Sequence, residues 1–496
     1  MHVHLVGVSG TGMGALAMLF REDGHTVTGS DVRFDPPIGP ALRDAGITCL
    51  EGFDKKHLAP APDLVIVGNA IRKDNVEAVF AKESGLRAVS MSGALREHYL
   101  MGRRPLVVAG THGKTTTSAM CAWILASAGL EPGYFIGGLP KNLPSGAAIG
   151  SRRRKLLGAS SPLLPGAPEG KPSPFVIEGD EYDAVYWHKQ PKFLDYVGLG
   201  SPDEVVIVTS VEHDHIDIYP DEQSYLAAFA DLARAVPEGG LIVVDASQKL
   251  ASKVMQEHAR ARIAFYALDG DDTGDVTPTW LGALASIDAS GMQPFDLFAG
   301  GMSCGRFAMK SPGAHNTRNA IAAIAACAEG FSVPVTRART AMATFEGVRR
   351  RQDLLGTPQG IFVYDDFAHH PTAVEETLIA LRSKHPKGAL WAVFEPRSAT
   401  ACRSLHQDAY AHAFRAADKV LLAPLGRTNV PEAERLDLAR LAGELGDKAT
   451  AMTDVDSILG ELVGEARPGD TIALLSNGAF GGLHTRLLAA LERSAL

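Results

Sequence analysis

Apolar residues follow two alternating patterns along the chain. Short unbroken apolar runs alternate with longer stretches in which apolar positions recur every three or four residues. An unbroken run bounded by turn residues predicts a strand buried on both faces, and the three-to-four spacing predicts a helix with one buried stripe. On this basis residues 2–8 predict a strand, 12–23 a helix, 25–30 the next strand and 63–68 a further buried strand. After a break at Met101-Gly-Arg-Arg-Pro105 the pattern restarts. A strand at 105–109 leads through a glycine-bearing loop into a helix reaching about 128, with strands at 175–177, 205–209 and 241–244 and a helix at 315–327. A third series holds strands at 361–364, 389–394, 420–423 and 471–475, with helices between. Strands alternating with helices imply parallel sheets, and no repeat of solenoid period is present. The predicted fold is therefore α/β, three units in series, with boundaries at 1–103, 104–332 and 333–496. Residues 151–174 break the rhythm with Arg152-Arg-Arg-Lys155 followed by prolines, glycine and serine. That composition predicts a surface insertion, with an anion-binding patch as the alternative.

Composition narrows the class without changing this picture. At roughly 150 residues per domain, 496 residues make about three domains. A chain 46% hydrophobic and 21% charged is not disordered. The net charge of −9 argues against a nucleic-acid-binding chain, which needs a basic footprint. No apolar run is long enough to span a bilayer and no charged-then-apolar leader is present, so a soluble cytoplasmic protein with no membrane partner is expected. The 5 cysteines are scattered and lack a Cys-x-x-Cys pair, which fits neither a disulfide framework nor a cysteine zinc site.

The chemistry is carried by local motifs. Gly110-Thr-His-Gly-Lys-Thr-Thr116 lies between a buried strand and a helix, the setting of a phosphate loop. The common form would place a glycine at 108, where the chain has Val108, so the loop is a shorter variant. Backbone N–H groups would cradle phosphates, Lys114 would reach the β/γ oxygens and Thr115 would ligate Mg²⁺. Glu178-Gly-Asp-Glu-Tyr-Asp183 sets four carboxylates at a strand end, either for a cation or as a solvated acidic turn. In Glu212-His-Asp-His-Ile-Asp217, His213 and His215 leave zinc, magnesium or phosphate binding and a structural role open. Gly7-Val-Ser-Gly-Thr-Gly12 followed by Asp31 is Rossmann-like without the full dinucleotide fingerprint, which fits a diphosphate ligand or tight packing. Asn316 is either a helix N-cap or a base contact. Arg349-Arg-Arg351 is either a γ-phosphate contact or a solvated basic turn, and Asp365-Asp-Phe-Ala-His-His370 closes a buried strand with two acids and two histidines.

Taken in order, these motifs resemble those of the Mur ligases, and the resemblance covers essentially the whole chain. It implies a Rossmann-like UDP-sugar domain, a phosphate-loop ATPase-like central domain and a Rossmann-like peptide-binding domain. It implies ATP and Mg²⁺ as cofactors, with UDP-N-acetylmuramate and a murein peptide as small-molecule partners. Gly10, Thr11, Gly12, Asp31 and Asn69 would hold the UDP-sugar. Gly110, Thr111, His112, Gly113, Lys114, Thr115, Thr116, His315, Asn316, Asn319, Arg351 and Asp366 would hold ATP, with Thr115, Glu178 and His215 on magnesium. Arg397, Ser398, Ser476, Asn477 and Gly478 would face the peptide. Lys114, Glu178, His215 and Arg351 would be catalytic, with His215 or His369 as the base. Gly68-Asn-Ala70, Tyr182, Phe394-Glu-Pro-Arg-Ser398 and Ser476-Asn-Gly-Ala-Phe-Gly-Gly482 resemble the branch that attaches the tripeptide L-alanyl-γ-D-glutamyl-meso-diaminopimelate in peptidoglycan recycling. The alternatives are the branch that adds L-alanine and a non-catalytic nucleotide- and UDP-sugar-binding protein. Phe229 stands where other branches carry a carbamoylated lysine. Tyr186-Trp-His188 and the long 151–174 segment depart from the family pattern.

Overall fold

The computed structural model describes residues 1–151, 172–214, 216, 218–427 and 429–493. Most of the expected insertion lies outside the described residues, as do His215 and Asp217.

Three sheets succeed one another along the chain. The first has five parallel strands in the order Thr48–Glu51, Thr26–Asp31, His2–Val6, Leu64–Val67, Ala88–Ser90. His2–Val6 and Leu64–Val67 are almost wholly buried, which is why they read as unbroken apolar runs. The order reverses between these two strands, and at such a point the carboxyl ends of a parallel sheet open a crevice. The turn after His2–Val6 enters that crevice through Gly7, at φ 86°, and runs into the helix Thr11–Glu22. Leu16, Leu19 and Phe20 of that helix are buried in the core beside Val3 and Leu5.

The central sheet has ten strands. Gly133–Phe135, Pro174–Glu178, Arg104–Ala109, Val205–Val208, Leu241–Asp245, Arg262–Leu268 and Trp280–Leu284 run parallel. Every residue of Arg104–Ala109 is buried. The helix that follows, Lys114–Ser127, is enclosed by the sheet and by the helices Ala314–Ala325 and Val335–Thr344, so it carries no polar stripe. Ala147–Ala148 closes one edge of this parallel block antiparallel to Gly133–Phe135, and beyond its other edge Gln293–Ala299 and Met302–Met309 add two antiparallel strands. The apolar pattern predicted neither of these, nor Arg262–Leu268 and Trp280–Leu284. Met302–Met309 is mostly solvated and Pro294 and Asp296 interrupt Gln293–Ala299, so neither forms an unbroken apolar run, whereas Ile263–Leu268 is such a run that the reading passed over.

The third sheet has six strands. Phe362–Asp366, Thr471–Leu475, Leu390–Phe394, Lys419–Leu422 and Ala449–Ala451 are parallel, and Asp353–Gly356 closes one edge antiparallel. The expected start of the third unit at 333 falls ahead of the helix Val335–Thr344. That helix packs on Met302–Met309 and Lys114–Ser127, and Trp123 Nε1 donates to the Ala341 carbonyl at 3.0 Å.

The first two units share a polar lock. The Asp195 carboxylate accepts from Ser92 Oγ at 2.6 Å and from Gln190 Nε2 at 3.0 Å, with His188 Nε2 at 3.2 Å. Val185 is buried with Val6, Leu58, Val65 and Val67, and Tyr186 packs on the same cluster. The unusual Tyr186-Trp-His188 segment thus belongs to an interdomain contact. Among the described residues no helix is long and apolar enough to cross a membrane.

Candidate functional site

The loop 110–113 is held by the neighbouring strand end and by the Thr111 side chain, whose Oγ1 donates to the Glu212 carbonyl at 3.0 Å and accepts from Glu212 N at 2.9 Å. Thr111 N donates to the Ser210 carbonyl at 3.0 Å and His112 N to Ser210 Oγ at 3.0 Å. Thr209 Oγ1 donates to the His112 carbonyl at 2.5 Å, and Thr111 Oγ1 lies 2.9 Å from Tyr225 OH. Two glycines are sterically required. A Cβ at Gly110, φ 131°, would sit 2.2 Å from Thr209 Oγ1, and one at Gly113, φ 79°, would sit 2.5 Å from Asn319 Oδ1. Gly113 caps the helix Lys114–Ser127 without any side-chain acceptor, so the first N–H groups of that helix lack a capping side chain.

Charge converges on the first turn of this helix. Lys114 Nζ donates to the Gly110 carbonyl at 2.6 Å and the Thr111 carbonyl at 3.2 Å, and lies 2.9 Å from Glu181 Oε2. Burial alone would lower the lysine, but Glu181, Asp180 and Glu178 together raise it above its ordinary value, so it is held as a cation. Thr115 Oγ1 donates to Glu178 Oε1 at 2.8 Å, and Gly137 N donates to Glu178 Oε2 at 2.7 Å. Burial and Asp180 push the Glu178 carboxyl up against the pull of Lys114, Gly137 N and Arg351. Arg351 Nη2 arrives from the far side and donates to Thr115 Oγ1 at 3.2 Å, its guanidinium 4.8 Å from the Phe367 ring centroid. Arg351 is therefore not part of a solvated basic turn, whereas Arg349 is exposed. Arg350 is also engaged, donating through Nη2 to the Ser476 and Gly478 carbonyls at 2.7 Å each.

A cavity opens beside the loop, lined by Gly113, Asp245, Tyr266, His315, Arg318 and Glu376 among others. The N-cap of the helix Ala314–Ala325 is Gly313, so the N-cap alternative for Asn316 does not hold. Asn316 is instead buried, donating to the Pro312 carbonyl at 2.8 Å and to Gln352 Oε1 at 3.2 Å. Gln352 also contacts His315 Nε2 at 3.1 Å and donates its backbone N–H to Asp366 Oδ2 at 2.7 Å. It thereby ties His315, Asn316 and Asp366 into one network. Burial pushes His315 down to about 4, so the ring is neutral at pH 7. The sequence reading missed Gln352, Arg318, Glu181 and Glu376. Glu181 lay inside a motif already singled out, whereas Glu376 sits mid-helix with no local signal.

Glu376 yields a pH prediction. Burial raises its carboxyl to about 7 against the pull of His112 and Arg318. An acid raised on folding lowers stability as pH climbs from the unfolded value near 4.3 through the folded one. Glu376→Gln is therefore expected to stabilise the protein by about 1–3 kcal/mol at pH 8 and by almost nothing at pH 4.5. Thermal melts at the two pH values check this, and equal shifts at both would contradict it.

The remaining expected residues fall into two outlying clusters. Gly10 and Thr11 are exposed, as is Asn69, at the crevice end of the first sheet. Asp31 accepts from Ser9 N and Val32 N, both at 2.8 Å, so it also braces the glycine turn. In the third unit Ser476 Oγ donates to Glu395, and Gly478 N donates to Ser476 Oγ at 2.9 Å. A Cβ at Gly478 would lie 2.3 Å from Arg397 Cδ, and Arg397 Nη1 is 3.7 Å from Glu395. Ser398 Oγ accepts from Ala401 N at 2.9 Å, a local turn role. Of the two histidines weighed as base, His215 lies outside the described residues, while burial pushes His369 down to about 4. His213 Nε2 is 2.9 Å from the Tyr219 carbonyl.

Comparison with known proteins gives full-length matches. Family profiles match residues 2–101 as "Mur ligase family, catalytic domain", 189–327 as "Mur ligase middle domain" and 350–478 as "Mur ligase, glutamate ligase domain". The chain is 36% identical to the UDP-N-acetylmuramate–L-alanyl-γ-D-glutamyl-meso-2,6-diaminoheptandioate ligase of Escherichia coli, over 100% of this chain and 99% of that one. It is 34% identical to the ligase of the same name from Haemophilus influenzae, over 99% of each. The crystal structure of a murein peptide ligase from Psychrobacter arcticus superposes with a TM-score of 0.70 at 33% identity, covering 99% of each chain.

Proposed function

The chain belongs to the Mur ligase family, and from that premise we propose that it joins UDP-N-acetylmuramate to L-alanyl-γ-D-glutamyl-meso-diaminopimelate with conversion of ATP to ADP, in cytoplasmic peptidoglycan recycling. The observation that carries the catalytic reading is the meeting of Lys114, Thr115, Glu178 and Arg351 at the uncapped start of one helix. The tripeptide, rather than L-alanine, is supported by the names of the Escherichia coli and Haemophilus influenzae relatives, at 36% and 34% identity, against 30–32% for L-alanine ligases matched over 96–99% of the chain.

In this reading the loop N–H groups and Lys114 take the phosphates, the ammonium exchanging its carbonyl partners for phosphate oxygens. The cavity beside Asn316, His315, Asn319 and Asp366 takes the base and ribose. Thr115 and Glu178, with His215, supply the oxygen-rich donor set that suits Mg²⁺, which when bound neutralises phosphate charge. The muramate carboxylate attacks the γ-phosphorus, ADP leaves and an acyl phosphate forms. The L-alanyl amine then adds to the acyl carbon, inorganic phosphate leaves and an amide remains. Lys114 and Arg351 spread the charge of the first transfer. A base accepts the amine proton; His369, held near 4, is a weak acceptor, and His215 is assigned to Mg²⁺. Gly10, Thr11, Gly12, Asp31 and Asn69 take the UDP-sugar.

ADP release by the purified protein with ATP, Mg²⁺ and UDP-N-acetylmuramate tests the reading. Release dependent on the tripeptide, with UDP-muramoyl-tripeptide detected by mass, is the expected result. Turnover with free L-alanine alone would move the chain to the alanine-adding branch, and binding without ADP release would remove the ligase reading.

Arg397 is assigned to a carboxylate of the peptide, through a bidentate fork. Its side chain is about half exposed and packs against Gly426 and Gly478. Arg397→Ala is expected to raise the KM for tripeptide about 10–100-fold, the worth of a charged hydrogen bond. The KM for ATP should stay within about twofold. Parallel loss of both would place Arg397 outside the peptide site.

A further inference from the structure

We propose that His112, Glu212 and His370 form a binding site for a transition-metal ion of the zinc class, built between the phosphate loop and the third unit. Each residue comes from a different element. His112 belongs to the loop 110–113, Glu212 follows the strand Val205–Val208, and His370 precedes the helix Pro371–Lys384. One donor atom from each lies within 4.8 Å of the other two. His112 Nε2 is 3.4 Å from Glu212 Oε2, and His370 Nδ1 is 3.7 Å from the same oxygen. Zinc bonds of about 2.0–2.1 Å place tetrahedral donors about 3.3–3.4 Å apart, so each imidazole nitrogen is already near ligand spacing from the Glu212 oxygen.

A second observation points to a ligand. His370 is 7% exposed, and its Nδ1 is buried without a hydrogen-bond partner. A buried polar nitrogen left unpaired is costly, and here it faces a carboxylate and a second imidazole. The carboxylate is itself oriented, since Thr372 Oγ1 donates to Glu212 Oε2 at 2.9 Å, as outer partners orient metal ligands. Two imidazoles with one carboxylate suit zinc and its transition-metal neighbours, whereas magnesium selects oxygen donors. The site shares no residue with Thr115, Glu178 and His215, while His112 and Glu212 also line the cavity beside the loop. Occupied, the site ties the third unit to the phosphate loop. The proposal goes beyond the ligase reading and does not depend on it.

The test uses the full-length chain, stripped with chelator and free of nucleotide. Zn²⁺ is titrated by calorimetry and Co²⁺ by visible absorption. One saturable equivalent is expected, with a cobalt spectrum of nitrogen and oxygen ligation. His370→Ala and Glu212→Gln should each weaken Zn²⁺ binding by at least about 10–100-fold. His258→Phe should leave it within about threefold, because His258 ends the helix Lys249–His258 and is not one of the clustered residues. X-ray absorption of the zinc-loaded wild type supplies a readout independent of variant folding and should show two imidazoles. Absence of saturable binding, a thiolate band from Cys49 or Cys304, fewer than two imidazoles, or unchanged affinity in both variants would overturn the site.

Discussion

Replacing Lys114 by methionine is expected to lower ADP release by about 10³-fold or more, the upper range for losing a donor aimed at developing charge. Methionine keeps most of the side-chain volume and removes only the ammonium. That ammonium is 11% exposed, and its partner Glu181 is 1% exposed. Deleting it takes the Lys114 cation away from the buried Glu181 carboxylate 2.9 Å from it, so a loss of stability is expected beside the loss of activity. The two effects separate in the double variant Lys114→Met/Glu181→Gln. Its stability should return in part, because the Glu181 charge is removed with its Lys114 partner while Asp180 and Glu178 remain, and ADP release stays absent. A single variant that kept a tenth of wild-type turnover would mean that phosphate is not held at this loop.

Much of this site was legible because its chemistry is written in contiguous motifs. The strand Arg104–Ala109 is buried along its whole length and Gly113-Lys-Thr115 follows within a few residues, so pattern and motif reinforce each other. Three strands of the first sheet were legible for the same reason, since His2–Val6 and Leu64–Val67 are buried on both faces, whereas Thr48–Glu51 and Ala88–Ser90, with few fully buried positions, were not read. What escaped has a common physical origin. Met302–Met309 is largely solvated, so no apolar run marks it. Gln352 contacts Asn316 across 36 residues of chain, and Arg350 reaches Ser476 across 126. Contacts that the tertiary fold creates between distant segments leave no local spacing to read. The helix Val335–Thr344 is the same case, because only its packing assigns it to the central unit.

The second large effect is expected at Arg351, which projects from the third-unit side onto the phosphate loop. Its neighbours fix where it points. Arg350 is clamped by the carbonyls of Ser476 and Gly478 and by Asp365, with Nε 3.3 Å from Oδ2. Arg350 and Gln352 both hold positive φ, at 61° and 48°, a conformation that costs of order 1 kcal/mol each and persists where surrounding contacts over-determine it. Between these two anchors the Arg351 guanidinium reaches Thr115 Oγ1 and stacks near Phe367. Arg351→Ala should thus lower kcat by about 10²–10³-fold and leave the KM for UDP-N-acetylmuramate unchanged, since that sugar is assigned to the first unit. Arg351→Lys should recover little, because lysine lacks the planar fork and the ring stacking. A purely structural arginine behaves otherwise, losing melting temperature and kcat in parallel and tolerating lysine. The split between kcat and KM, read beside a thermal melt, therefore decides whether the third unit delivers charge to the phosphates or merely packs beside them.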